Sequence, residues 1–590
     1  MRALSRLARV AVLSTVLAAL CFAGPPVTFA ADGTRAQIDA GVIDGTIDNG
    51  VIAFKGIPFA APPVGALRWR PPQPISAWQG VRRSVSYGPD CMQVPFPGDA
   101  APLGVPSAED CLYLNVWRPA RASSHKLPVM VWIYGGGFVN GGSSPAVYDG
   151  TQFARDGIVL VSFNYRLGNF GFFAHPALST EQPDGPLGNY AFMDQIAALN
   201  WVKRNIAAFD GDPTNVTIFG ESAGGMSVNV LMISPLARGL FQKAIVESGG
   251  GRPGLLGARP LRGTANSAEA VGIALAKRFG IEGEGPDALA RLRAIPADQL
   301  VSGLNMATMS RDPTYVGGPI LDGKIDLGAP TDLYAAGKGA HVPFMIGANS
   351  MDIGFMQAAS LDELFAQFGP DASQARTLYG PDPAAEVRAV AFKAGGDQMM
   401  IEPARAIARL LAARGQAVYE YRFSYVAESL RKTTPGAPHA TEIPYVFDTV
   451  AARYGKDLTP SDEAVARTVH RYWVAFARGG KPEVSGEPPW PAYQAHADVI
   501  MDFTDKGAVA QADAWKPRLD LAQRSNERKE HVAAAAGEHG FALERRTAQD
   551  LIDAGRQALN PFQPRRAPVE IVLQFDGERD QHIDIGEVCR

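Results

Sequence analysis

The chain has 590 residues, of which 46% are apolar and 20% charged, and its formal net charge is −4. These proportions are ordinary for a soluble globular protein, and the length allows one large core or several small ones. No long basic run is present, so the electrostatic footprint of a nucleic-acid binder is missing.

The first element is not part of the fold. Arg2, Arg6 and Arg9 precede the mainly apolar stretch Val10–Phe22, and Ala30 offers a small residue at a cleavage point. Residues 1–30 read as a secretory signal peptide, too short to span a membrane. The alternative is an uncleaved N-terminal tether. Arg6 and Arg9 are not adjacent, which argues against a twin-arginine route. Leu20 before Cys21 argues against a lipoprotein anchor. Cleavage places the mature chain in the periplasm or outside the cell, with a net charge of −7. Three cysteines then remain, in an oxidising compartment. Cys91 and Cys111 enclose a Pro- and Gly-rich loop and are expected to form a disulfide worth roughly 3 kcal/mol. Cys589, next to the last residue, is left free or pairs between chains. Neither a CxxC nor an HxxxH cluster is present, so no metal or other cofactor is expected.

Short apolar runs read as buried strands at Pro128–Tyr134, Ile158–Tyr165, residues 215–220, Lys243–Ser248, Val342–Asn349 and Ala417–Tyr425. A helical pattern over Asn189–Ile206 places Phe192, Ile196, Leu199 and Val202 on one face. Strands apolar throughout, alternating with helices, predict an α/β fold whose mainly parallel sheet is covered on both sides. Helical patterns between about Gly254 and Thr314 read as an insertion. Length alone suggests about four domains. The candidate site residues lie far apart in the chain, however, so residues 31–529 are read as one domain. Residues 530–590 form an appendix, helical, then Pro-rich, then alternating like a short hairpin.

Two glycine-rich motifs carry the chemistry. Gly220-Glu221-Ser222-Ala223-Gly224 follows a strand and opens a helix, the pattern of a nucleophile elbow. The bend holds the serine in a strained backbone, and Gly220 and Gly224 make room for strand and helix to approach. Upstream, Gly135-Gly136-Gly137 directly follows another strand. Acyl transfer needs donors for the oxyanion of a tetrahedral intermediate, and backbone N–H groups of Gly136, Gly137 and Ala223 could provide them. Either motif alone is an ordinary flexible turn; both in this order are not.

At this point the chain resembles the type B carboxylesterases, a family that includes the cholinesterases and has the α/β-hydrolase fold. The likeness runs from about Gly41 to Asp520. It rests on the blocks Phe54–Pro72, Ser107–Trp117, Asn164–Phe173, Gly188–Gly225, Gly318–Gly323, His439–Phe447 and Phe476–Tyr493. The resemblance implies a large, mainly parallel sheet flanked by helices, with helical insertions over the active site. It also implies a disulfide between Cys91 and Cys111.

Serine needs a base, because its hydroxyl is a weak nucleophile at its own pKa. Of nine histidines, the resemblance carries that role onto His439. The acid that orients the imidazole falls on Asp352. Many cholinesterase-like members have Glu followed by Gly there, whereas this chain has Asp352 followed by Ile353. Glu442 is the runner-up. Glu221 and Ser248 match positions near the site and are read as tuning the field around His439. Asn215-Val216-Thr217 matches a glycosylation sequon, but a buried strand residue is the better reading.

These residues predict a carboxylic-ester hydrolase acting through Ser222, with a small-molecule ester as its partner. In cholinesterases a tryptophan in the first disulfide loop holds the choline cation. This loop has Phe96 and no tryptophan, which argues against a choline ester. The rival readings are a non-catalytic binding or adhesion protein on the same scaffold, or an amidase, lactonase or peptidase using the same triad.

Overall fold

The computed structural model describes residues 33–538, apart from 97, 98, 100, 122, 254–258 and 381–385, and without the side chains of 533–538. The signal-peptide reading, Cys589 and most of the 530–590 appendix lie outside the described residues. Residue 530 itself falls inside a helix, Lys516–Glu538.

Eleven strands form the central sheet: β1 (Thr46–Asp48), β2 (Val51–Pro58), β3 (Tyr113–Pro119), β4 (Leu127–Ile133), β5 (Val159–Phe163), β6 (Gly211–Glu221), β7 (Lys243–Glu247), β8 (Phe344–Asn349), β9 (Val418–Phe423), β10 (Val499–Thr504) and β11 (Gly507–Ala512). Their spatial order is β11-β10-β9-β8-β7-β6-β4-β5-β3-β2-β1. The run from β10 to β5 is parallel throughout. The outer strands are antiparallel at both ends. The central strands coincide with the apolar runs seen in the sequence, because both their faces are covered. Val129, Met130, Val131, Trp132 and Ile133 of β4 are all fully buried. A strand with no wet face has no reason to alternate. β6 starts earlier than its apolar run suggests: Gly211 already pairs with Leu127, and a register shift follows before Val216.

Helix α1 (Tyr190–Asn205) buries far more than one stripe: Tyr190 through Gln195, Ala198, Leu199, Trp201, Val202 and Asn205 are all inside. Ile196, expected in that stripe, is only half-buried. Much of the polar burial is paired. Asp194 accepts from Arg166 through the backbone N–H at 3.0 Å, Nε at 2.8 Å and Nη2 at 2.8 Å. Such a pair is costly to break from one side, by about 3–5 kcal/mol. The insertion between β7 and β8 carries helices Ala268–Arg278, Pro286–Arg293 and Ala297–Val301. Arg68 anchors it: Nη1 donates to Ile295 O at 2.6 Å, while Nε and Nη2 hold Glu109.

A second helical segment follows β8. Helices Val387–Gly396 and Glu402–Ala413 are joined by a π-helical turn at Asp397–Ile401. Glycines let it press on the chain beyond β8: a Cβ on Gly396 would stand 2.6 Å from Asp352 O. No helix among the described residues is long and apolar enough to cross a membrane.

Candidate active site

Parallel strands end on the same edge of a sheet, and that fact assembles the site. The glycine run follows β4, Ser222 follows β6, Ser248 follows β7, Asp352 lies three residues after β8, and His439 lies in the connection after β9. These five strands are consecutive neighbours.

The elbow is a steric necessity. Ser222 has φ 56° and ψ −120°, a strained conformation for a residue with a Cβ. A Cβ on Gly224 would collide with the carbonyl oxygen of Ile133, and one on Gly220 would stand 2.6 Å from it. Gly225 is equally tight, with a Cβ falling 2.7 Å from Glu247 O. The bend is held by Ser222 N–H donating to Glu247 O at 2.9 Å. Helix α2 (Ala223–Ile233) starts immediately after, so its free N–H groups and positive end lie beside the serine oxygen.

The glycine run packs directly against this bend. A Cβ on Gly135 would lie 2.9 Å from Ser222 Cβ and 2.7 Å from Glu221 O. Gly136 and Gly137 have φ of 101° and 61°, backbone that side chains rarely adopt. Among the described residues, the amides of Gly136, Gly137 and Ala223 donate no hydrogen bond within the protein. Ser222 is half-buried beside them.

His439 is held from both sides. Its Nδ1 lies 2.6 Å from Asp352 Oδ1, and its Nε2 lies 3.1 Å from Glu221 Oε1. The second contact is electrostatic; Glu221 Oε1 makes no aligned hydrogen bond. Asp352 is fully enclosed and fully engaged. Oδ2 accepts from Ser248 Oγ at 2.6 Å and Asn349 N at 3.0 Å, and Oδ1 also accepts from Ile353 N at 2.8 Å. The acid and base segments are laced together. Met351 N donates to Ala437 O at 2.8 Å, Ala437 N to Ser350 Oγ at 2.9 Å, and Asn349 Nδ2 to Pro438 O at 2.7 Å. Glu442 makes no hydrogen bond to the imidazole; it accepts from Asn349 Nδ2 instead. The Ser222 hydroxyl makes no hydrogen bond among the described residues, and Nε2 of His439 addresses the neighbouring carboxylate.

Three buried carboxyl groups, Glu221, Asp352 and Glu442, act on this one imidazole, and a fourth, Glu247, acts on Glu221 and Glu442. Burial alone would lower the His439 pKa, but Glu221 first and Asp352 second outweigh it and raise it to about 10. Burial raises Glu221 well above the ordinary carboxylate range, opposed by His439. Burial likewise pushes Glu442 and Glu247 up to about 8. Asp352 alone is held below its usual range: the His439 charge and hydrogen bonds from His439 and Ser248 overcome its burial. Asp352 is therefore the member that stays ionised, and Glu221 is the group whose charge is in the balance.

Sequence reasoning missed Asn349, which ties the acid turn to the base loop, and Asn140, which follows the glycine run. A polar residue just after a strand or a glycine loop is a signal, but too common a one to single them out. Asn215 is half-buried within β6, just before Val216, and its side chain accepts from Lys243. The cysteines Cys91 and Cys111 form a disulfide. A cavity of about 470 Å³ lined by Asp156, Arg467, His470 and Arg478 shares none of the site residues.

The Carboxylesterase family profile matches residues 32–380 and 372–519. The fumonisin B1 esterase of Sphingopyxis macrogoltabida is 36% identical over 487 residues, covering 80% of this chain and 86% of that protein. The para-nitrobenzyl esterase of Bacillus subtilis (strain 168) is 34% identical over 482 residues, covering 78% and 93%. Among solved structures, a PNB esterase superposes with a TM-score of 0.71 at 31% identity, covering 83% of this chain and 99% of that one. A Geobacillus stearothermophilus carboxylesterase gives 0.66 at 33% identity, with 83% and 99% coverage. The elbow, the glycine run and the paired histidine thus lie on a scaffold shared with known esterases, and the chain belongs to the carboxylesterase family as a carboxylic-ester hydrolase of the α/β-hydrolase fold.

Proposed function

We propose that the protein is an exported serine carboxylesterase that works through an acyl-enzyme on Ser222, with His439 as general base and Asp352 as its orienting acid. The observation that carries this reading is the 2.6 Å contact between His439 Nδ1 and Asp352 on the same sheet edge as the strained serine. Asp352 fixes the tautomer by accepting a hydrogen bond from Nδ1–H, so the proton stays on Nδ1 and Nε2 keeps a lone pair. On substrate binding Nε2 exchanges Glu221 for the Ser222 hydroxyl; resting enzymes often show such catalytic bonds unformed.

Ser222 Oγ attacks the ester carbonyl carbon as its proton passes to Nε2. The carbonyl oxygen becomes an oxyanion facing the amides of Gly136, Gly137 and Ala223. The imidazolium returns the proton to the departing alcohol oxygen. Water repeats the sequence on the acyl-enzyme, releasing the acid and regenerating Ser222. Every step uses side chains and amides of this chain.

The relatives named for fumonisin B1 and para-nitrobenzyl esters make those same compounds the first substrates to try. The test is a panel of p-nitrophenyl and p-nitrobenzyl esters beside matched anilides and lactones, with fluorophosphonate labelling. Ester turnover and labelling, both lost in Ser222→Ala, are expected. Absence of both labelling and ester turnover would point to a binding protein, and faster anilide or lactone turnover to an amidase or lactonase. Export rests on residues 1–30 and on the disulfide. N-terminal sequencing of the exported protein should begin at Ala31, and retention of Met1 in a cytoplasmic product would contradict it.

A further inference from the structure

We infer that Asn140 is a positioning residue for the oxyanion amides, clamping the glycine run to the disulfide loop and to the inserted segment. The inference rests on the esterase reading and deepens it. Its starting point is the short turn that follows Gly136. Gly136 O accepts from Val139 N at 3.1 Å and from Asn140 N at 2.9 Å. The far side of this turn touches the near side: a Cβ on Gly136 would collide with Asn140 O and stand 2.7 Å from Asn140 C. The orientation of the Gly136 and Gly137 peptides therefore depends on where Asn140 is held.

The Asn140 side chain reaches two other parts of the chain at once. Its Nδ2 donates to Val94 O at 2.7 Å and to Gln93 Oε1 at 3.2 Å, both in the loop closed by Cys91 and Cys111. Its Oδ1 accepts from Met306 N at 3.0 Å, in the segment inserted between β7 and β8. Both amide hydrogens and one acceptor position are thus used, and the residue is 1% exposed. Gln93 reinforces the grip. Its Oε1 also accepts from Gly141 N at 2.9 Å, and its Nε2 donates to Gly141 O at 2.6 Å and Cys91 O at 3.0 Å. The docked segment returns to the oxyanion site: a Cβ on Gly137 would meet Met309 Sδ at 3.1 Å.

This arrangement answers a physical need. An oxyanion hole works only if its donors are aimed in advance, since a floppy glycine run would have to be ordered in the transition state. Glycines supply the unusual φ values but no rigidity of their own. Asn140 supplies it by pairing with Val94 O and Met306 N, one polar group in each of the two segments packed against the glycine run.

The test uses the full-length enzyme, p-nitrophenyl butyrate and a trifluoromethyl ketone, which forms an oxyanion on the serine. Rates are normalised to sites titrated with a fluorophosphonate. Asn140→Ala is expected to lower kcat per titrated site by roughly 10–100-fold, less than the 10²–10³ for outright loss of a donor. KM should stay within about twofold, and ketone affinity should fall by the same factor as kcat/KM. Gln93→Ala, which leaves the Val94 and Met306 ties intact, should show a smaller loss of the same kind, and it carries the test if Asn140→Ala does not fold. Unchanged kcat per site and unchanged ketone affinity in the folded variants would overturn the inference. So would a loss of activity that only tracks the number of titratable sites. A wild-type enzyme that turns over no ester would instead refute the underlying reading.

Discussion

The imidazole of His439 stands between two carboxylates, with Nε2 3.1 Å from Glu221 and Nδ1 2.6 Å from Asp352. Both favour the charged ring and lift its pKa to about 10 against the effect of burial. A protonated ring cannot take the Ser222 proton. Activity should therefore fall as pH drops, with a midpoint above the ordinary histidine value of about 6.5. Glu221→Gln withdraws the larger raising influence and should move the kcat/KM midpoint to lower pH. A wild-type midpoint below 6, unmoved by Glu221→Gln, would mean that Glu221 carries no charge in the free enzyme.

If Asp352 is the orienting acid proposed above, its amide should be a poor substitute. Asp352→Asn keeps the size but favours the wrong tautomer, and a loss of about 10⁴ in kcat is expected, measured by steady-state ester hydrolysis. The longer Asp352→Glu would displace a carboxyl group whose two oxygens are already tied to His439, Ser248, Asn349 and Ile353. That variant should also lose activity, by about 10-fold or more. Full activity in Asp352→Glu would show that the acid turn can give way.

Gly136→Val puts a branched side chain where φ is 101° and where the Asn140 carbonyl leaves no space. The amide must move, and kcat should fall by about 10²–10³, as for the loss of one oxyanion donor. Ester hydrolysis per titrated site is the measurement, and activity near wild type would contradict the assignment.

Glu420 on β9 is buried with Oε2 unpartnered among the described residues, and burial pushes it up to about 8. The folded chain therefore keeps a proton between about pH 4.5 and 8 that the unfolded chain has lost. Stability contributed by this group is present at low pH and drains away as pH rises through that window. Glu420→Gln should leave the thermal midpoint nearly unchanged at pH 5 and raise it at pH 9. An equal shift at both values would exclude titration of Glu420 as the cause.

The strands β4 to β9 were legible because their two covered faces leave an apolar run in the sequence. The outer strands β1, β2, β3, β10 and β11 were not: β1 is exposed throughout, β2, β10 and β11 mix buried with partly exposed positions, and Asn115 and Arg118 break the apolar run of β3. The helices from Leu361 to Ala413 also escaped notice. Those from Leu361 to Gly396 pack largely against one another and the C-terminal helix, whereas Glu402–Ala413 packs on β8, β9 and the helix Pro330–Ala335. His439 and Asp352 are 87 positions apart, and nothing local in either segment states that they meet. Their roles came from the family resemblance alone.

What the amino-acid order determined by itself was wherever backbone sterics admit few residues. Gly220, Gly224 and the run Gly135–Gly137 stand at bends and close approaches that only glycine tolerates, so the motif and its geometry are nearly one statement. What the tertiary structure alone decided was the company each group keeps. Glu221 facing His439, Asn349 bridging the acid and base loops, and Asn140 joining three segments all depend on parallel strands delivering distant loops to one edge. Charge and hydrogen-bond partners act across space, and a one-dimensional pattern does not record distances between residues far apart along the chain.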